Sequence, residues 1–121
     1  MVLVDTSVWI RFFASRAPYA RGLEKLLLAD EVAGHDLVFG ELLIGDRGGR
    51  REFLDEYGRI PTARAVPHGE VVEFVRTRGL HGLGIGWIDV HLLASALVDN
   101  LRLWTADPRL RSVASDLGVS Y

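Results

Sequence analysis

Apolar and polar positions follow two rhythms along this chain. Val2-Leu3-Val4 is an unbroken, mostly β-branched apolar run ending on Asp5, the pattern of a buried strand. Asp5-Thr6-Ser7 supplies capping oxygens for a helix from about Ser7 to Ala14. Pro18 is placed to open a second helix, with Leu23, Leu26 and Leu27 on one face, ending near Asp30. Glu31 to Gly34 predicts a short second strand. Asp36 can cap a third helix through Leu37, Val38, Leu42, Leu43 and Ile44, stopped by Gly45 and the Gly48-Gly49 pair. Arg50 to Tyr57 predicts a fourth helix, Ile60 to Val66 a short strand, and His68 to Arg78 a fifth helix with Val71, Val72 and Val75 inward. Gly79 to Gly86 is a glycine-rich, mobile loop. A strongly apolar helix follows from Trp87 to about Asp99, then a strand over Leu101 to Thr105. Asp107 or Pro108 opens a last helix, and Val119 begins a final short strand.

Strands and helices that alternate in this way predict an α/β fold: a parallel sheet with helices on both faces. The 121 residues suit one compact domain spanning 1–121, and 49% apolar with 25% charged residues is the balance of a globular protein. There is no cysteine, which removes disulfides, thiolate zinc sites and cysteine nucleophiles and suits a reducing compartment. The first residues lack the basic region of a signal peptide, and no apolar run nears the roughly 20 residues that span a bilayer. The expectation is a cytoplasmic protein without a membrane partner. Net charge is −2, so the whole molecule does not advertise nucleic-acid binding. Among the basic residues only Lys25 is lysine; the rest are arginine, which grips phosphate bidentately, although coding bias would give the same composition.

The informative feature is the placement of acids. Most of them, such as Glu24, Glu52, Glu70 and Asp116, fall on polar helix faces or at helix ends, where a solvated surface charge is expected. Four differ. Asp5 ends the first strand, and ligands of open α/β sheets gather beyond the carboxyl ends of strands. Glu41 sits mid-helix with Leu37, Val38, Ile44 and Gly45 three and four positions away, so it has no basic neighbour on its own helix. Asp89 lies in the first turn of a helix that is apolar nearly all round. Asp107 follows the strand ending near Thr105. Each has a structural alternative: Asp5 and Asp107 as helix caps, Asp89 as a helix-dipole partner, Glu41 as an acid reaching water from the edge of its stripe. If the fold gathers all four, their repulsion calls for a divalent cation. Carboxylates without Cys or paired His favour Mg²⁺ or Mn²⁺.

The ordered set of segments resembles the PIN-domain family, specifically the VapC-type toxins of type II toxin–antitoxin systems. Val4-Asp5-Thr6-Ser7-Val8-Trp9-Ile10 matches the family's strand-end acid and Asp-Thr-Ser turn. Phe39-Gly40-Glu41-Leu42-Leu43-Ile44-Gly45 resembles its helical Glu, Trp87-Ile88-Asp89-Val90-His91 its Asp-centred helix, and Leu103-Trp104-Thr105-Ala106-Asp107 its final Thr-x-Asp. The resemblance implies a three-layer α/β/α PIN-like fold with a mostly parallel central sheet. It also implies metal-dependent endoribonucleolytic cleavage of single-stranded RNA, and inhibition by a small cognate antitoxin. On this reading Asp5, Asp89 and Asp107 hold the metal, Glu41 is a direct or water-mediated ligand, and Thr6, Ser7 and Thr105 are candidates to orient those carboxylates.

Arg47, Arg50 and Arg51 form the one local basic cluster and are candidates for RNA phosphate contact; a solvated helix start is the alternative. His35, His68, His81 and His91 lack metal-ligand spacing and are expected to be structural or surface residues. Trp9, Phe12, Phe13, Leu23, Leu26 and Leu27 are expected in the core, with part of that apolar surface available for a homodimer or an antitoxin helix. The competing functions are a phosphatase or phosphoacceptor using Asp5, and a catalytically inactive PIN-like RNA- or protein-binding module. The first lacks a second Asp two residues after Asp5 and a Lys after a later strand; the second does not need all four acids. A small DNA-binding protein is disfavoured by the α/β alternation and the absence of a basic arm.

Overall fold

The structure, a computed structural model, describes all 121 residues. Three strands form one parallel sheet: β1 (Val2–Val4), β2 (Val32–Ala33) and β3 (Arg102–Trp104), in the order β2-β1-β3. Val2 aligns with Val32 on one side and with Arg102 on the other, so β1 is the central strand. Its three side chains are buried whichever way they point, which for a two-sided strand requires cover on both faces. Seven helices give it: α1 (Thr6–Phe13), α2 (Tyr19–Leu28), α3 (Asp36–Ile44), α4 (Arg51–Tyr57), α5 (His68–Arg78), α6 (Trp87–Val98) and α7 (Pro108–Asp116). This is the three-layer α/β/α arrangement. α1 packs on α2 and α3, α3 on α4, and α5 on α6, which in turn lies against β3.

The core explains which periodic positions matter. α6 buries Val90, Leu92, Leu93, Ala94, Ser95 and Ala96. Trp9 is the largest fully buried side chain and packs edge-on against Phe12, Phe53 and Tyr57. Leu23 and Leu26 are likewise buried, and Phe12, Phe13 and Leu27 are partly buried against the same core. The apolar surface expected to be partly free on α1 and α2 is therefore mostly interior. Ile10, Leu28, Leu43 and Ile44 are the apolar side chains that α1, α2 and α3 leave exposed.

Two predicted strands reduce to single bridges. The segment from Ile60 to Val66 touches the sheet only where Thr62 pairs with Gly34, flanked by Gly34 N–H to Pro61 O and Ala63 N–H to Gly34 O. Pro61 has no N–H to extend a ladder. The end of the chain contributes Ser120 opposite Leu103, after a turn at Gly118. The third helix is capped by His35, whose Nδ1 accepts from the Leu37 N–H, and not by Asp36, which is already the first helical residue. The glycine-rich loop has two anchors: Leu80 is buried, and Gly84, at φ +77°, lies where a Cβ would come within 2.9 Å of the Arg109 side chain. No helix is long and apolar enough to cross a membrane.

Candidate active site

Strand order places the site. The connections leave β1 towards β2 on one side and β3 on the other, and the crevice of such a sheet opens at the carboxyl ends of the strands. Asp5 follows β1 there, and Thr105 to Asp107 follow β3 beside it, with Asp5 N–H donating to Trp104 O at 2.9 Å. The first helix starts at Thr6, so Asp5 occupies its cap position, yet its carboxylate makes no capping hydrogen bond. It turns instead to two hydroxyls: Ser7 Oγ donates to Asp5 Oδ2 at 2.7 Å, and Thr105 Oγ1 donates to the same oxygen at 2.8 Å. The capping alternative for Asp5 is thus not what the side chain does.

Those hydroxyls are themselves held. Ala106 N–H donates to Ser7 Oγ at 3.0 Å and Asp107 N–H to Thr105 Oγ1 at 3.0 Å. Each hydroxyl has one proton, already given to Asp5, so the 3.3 Å approach of Ser7 Oγ to Thr105 Oγ1 adds no third donation. Two short relays therefore run from the backbone after β3 into one oxygen of the buried Asp5 carboxylate.

The other three acids are tethered in the same one-sided way. Thr6 Oγ1 donates to Glu41 Oε1 at 2.7 Å, joining α1 to α3. Gly86 N–H donates to Asp89 Oδ2 at 2.8 Å, a reach back to the start of α6. Asp107 Oδ1 accepts from Arg109 N–H at 2.8 Å and, more weakly, from Leu110 N–H at 3.4 Å, so Asp107 does cap α7. In each carboxylate the second oxygen has no hydrogen-bond partner in the chain. Asp89 feels the other three: burial raises its pKa most, and Asp5, Asp107 and Glu41 each push it further up, while the Gly86 N–H pulls it down.

This donor set suits a hard, oxygen-loving cation. No three carboxyl or imidazole groups are gathered closely enough to grip an ion together. A Mg²⁺ site does not need that, because the ion keeps several waters and is usually held by one or two carboxylates directly.

The basic cluster divides. Arg47 and Arg50 border a cavity that also reaches Thr6 and Glu41, whereas Arg51 begins α4 and lies outside that lining. Two further arginines lie on the opposite flank, where Arg11 and Arg109 line a basin with Ser7 and Asp107. Sequence reasoning passed over both. Arg11 carries a weak signal, one helical turn after Ser7, whose carbonyl it binds at 2.9 Å. His35 is buried, its Nε2 3.0 Å from Ser95 Oγ. His68 and His91 flank the Trp87 ring at 5.3 and 5.0 Å between centroids, and His81 is exposed.

Comparison with known proteins agrees with this architecture. The sequence is 44% identical over 99% of the chain, and 95% of the relative, to Ribonuclease VapC32 of Mycobacterium tuberculosis, in both of two strains. Among solved structures, FitAcB from Neisseria gonorrhoeae superposes with a TM-score of 0.62 at 23% identity, covering 95% of this chain and 94% of that one. PAE2754 from Pyrobaculum aerophilum gives 0.58 at 18% identity, covering 92% and 77%. At such identities these two speak for the fold alone. The family model of the PIN domain matches residues 2–116, and the chain belongs to the PIN-domain family.

Proposed function

We propose that this chain is an endoribonuclease that cleaves single-stranded RNA with the help of Mg²⁺ or Mn²⁺, and that it is the toxin of a toxin–antitoxin pair. The observation that carries this reading is that Asp5, Glu41 and Asp107, from separate elements, all lie near enough to Asp89 to act on its charge, and that each of the four has one oxygen tethered and one unpartnered. The 44% identity to a protein named a ribonuclease supports the choice of RNA. Asp5, Asp89 and Asp107 would hold the cation between them, one or two directly and the rest through its waters, and Glu41 would reach it directly or through water. When bound, the cation supplies positive charge against the scissile phosphate and acidity to water. Ser7 and Thr105 keep Asp5 Oδ2 engaged, so its other oxygen is the one presented. Thr6 orients Glu41, and Gly86 N–H orients Asp89. In-line hydrolysis adds water oxygen to phosphorus and breaks the bond to the ribose 3′ oxygen, which leaves with a proton. The products are a 5′-phosphate and a 3′-hydroxyl. The exposed Leu43 and Ile44 at the end of α3 give a cognate antitoxin an apolar surface to cover, and homodimer formation is part of the same proposal.

The test is incubation with total RNA, with Mn²⁺, with Mg²⁺ and with EDTA, followed by mapping of 5′-phosphate ends. Cleavage by the wild type is expected only with the divalent ions, and Asp5→Asn and Asp89→Asn should lower it by about 10²–10³-fold, the scale of losing one electrostatic stabiliser. Undiminished cleavage in EDTA, or by both variants, would overturn the assignment.

A further inference from the structure

The two arginine-bordered hollows beside the acids differ in chemistry. The one on the Glu41 side is a cavity of about 350 Å³ whose wall includes Ile10, Phe13 and Leu42. The Arg50 guanidinium carbon lies over the Phe13 ring, 3.6 Å from its centre, at van der Waals distance. Phe13 is fixed from behind by Phe53, edge-on at 4.8 Å between centroids. Neither Arg47 nor Arg50 has a carboxylate partner; the ion pairs of the molecule are Arg59 with Glu56 and Arg64 with Asp99. The hollow on the Asp107 side has Arg11 and Arg109 but is otherwise lined by Ser7, Ala106, Asp107 and Pro108, with no aromatic or large aliphatic wall.

We propose that the cavity beside Glu41 is a nucleobase subsite, which reads the base of the nucleotide on one side of the cut, while the Asp107-side hollow holds backbone phosphate without reading sequence. The inference rests on the ribonuclease reading and deepens it. An occupant of this cavity must satisfy two demands at once. The apolar wall and the Phe13–Arg50 pair accept a flat ring face, which bases offer to aromatic rings and guanidinium planes alike. The unpaired guanidiniums of Arg47 and Arg50 call for an anion next to that ring. A nucleotide carries both, and Thr6 and Glu41 in the same lining put it within reach of the acids. A wholly apolar protein segment would satisfy the wall and leave both cations unpaired. The second hollow can meet only the phosphate demand. Specificity at one flanking position therefore comes from the Glu41 side.

The experiment uses a randomised single-stranded RNA pool with Mn²⁺ and sequencing of the new 5′ ends for wild type, Ile10→Ser, Arg50→Met and Arg109→Ala. Ile10 is 56% exposed, so its replacement should not unfold the chain. The wild type should favour particular bases at one flanking position. Ile10→Ser and Arg50→Met should flatten that preference and weaken use of the best sites by about tenfold, the size of one base-stacking interaction. Arg109→Ala should weaken cleavage evenly across sequences and keep the preference. In parallel, fluorescein-labelled UUU, CCC, AAA and GGG trinucleotides are titrated into Asp89→Asn protein in EDTA, with and without Ile10→Ser. Base-dependent binding that Ile10→Ser removes supports the subsite even if the wild type cuts nothing, in which case the ribonuclease reading fails alone. Unchanged preferences in Ile10→Ser and Arg50→Met proteins that still cut would overturn the subsite and leave the ribonuclease reading standing. Loss of co-purification with a co-expressed antitoxin in Ile10→Ser, with base preference intact, would assign the cavity to a protein partner and overturn the proposal.

Discussion

Thr105 gives its only hydroxyl proton to Asp5 and accepts the Asp107 N–H in return. Thr105→Val keeps the shape and removes both bonds, leaving a buried carboxylate short of a donor and a backbone N–H without an acceptor. Cleavage should fall about 10–100-fold, the usual effect of losing a group that orients a ligand, and single-turnover rates measure it. Asp5→Asn acts differently, because it removes a charge from among four that repel. Its melting temperature should equal or exceed that of the wild type while cleavage collapses. His35 offers a test of pH dependence. Ser95 Oγ donates to Arg64 O at 2.7 Å, so at the 3.0 Å contact it accepts from His35 Nε2–H, and Nδ1 keeps its lone pair for the Leu37 N–H. Burial holds this imidazole below its ordinary pKa of 6.5; Asp36 opposes the shift and His91 adds to it. The unfolded chain therefore binds the proton more readily. Stability should be intact above about pH 6.5 and should fall as pH drops below it, by at most about 1.4 kcal/mol per pH unit from this one group. Denaturant melts of wild type and His35→Gln between pH 5 and 8, the range in which histidine titrates, check the slope; an equal slope in both would refute the assignment to His35.

Helices were legible because their periodicity and their stop signals agree. The apolar positions of α2 and α6 fall on the faces that the structure buries. The third helix was legible except for its cap: Asp36 is the commoner capping residue, but only the fold brings Tyr57 and Ser95 around His35 to hold its backbone and ring. Short strands were less legible. The run from Ile60 to Val66 has β-rich composition, but whether it pairs depends on neighbours distant in sequence and on Pro61. Close approach of elements was not legible at all. Gly22 looks like a weak point of α2 that alanine would improve by about 0.5–1 kcal/mol. In the structure a Cβ there would stand 2.9 Å from Trp104 Cη2, on a ring backed by Tyr19 and Tyr121. Overpacking a rigid ring costs about 1–3 kcal/mol, so Gly22→Ala should be neutral to destabilising in equilibrium unfolding. Clear stabilisation would show that α2 moves away from β3 freely.

Across the whole molecule, a net charge of −2 hides a local arrangement. Acids occupy the crevice at the strand ends, and arginines without carboxylate partners flank it on both sides. One flank was readable, since Arg47 and Arg50 are near neighbours in sequence. The other was not, because Arg11 and Arg109 lie on helices far apart in the chain and meet only through the pairing of β1 with β3. If the arginines touch RNA phosphates, neutralising Arg47 and Arg50 should reduce the slope of log affinity against log salt by about 0.7 for each phosphate that is no longer neutralised; Arg51 alone should change it less. The acids stand out in the sequence because Asp5 and Asp107 follow strands while Glu41 and Asp89 lie on apolar helices, where surface charges seldom sit. What the sequence could not supply is the tethering that leaves one oxygen of each carboxylate unengaged. The most direct test of that site is a Mn²⁺ titration followed by electron paramagnetic resonance, on wild type, Asp5→Asn, Asp89→Asn and the surface control Glu24→Gln. Wild type and control should bind the ion alike, and each site variant should bind at least about tenfold more weakly. Equal binding by all four proteins, or none by the wild type, would contradict a shared carboxylate site for the cation.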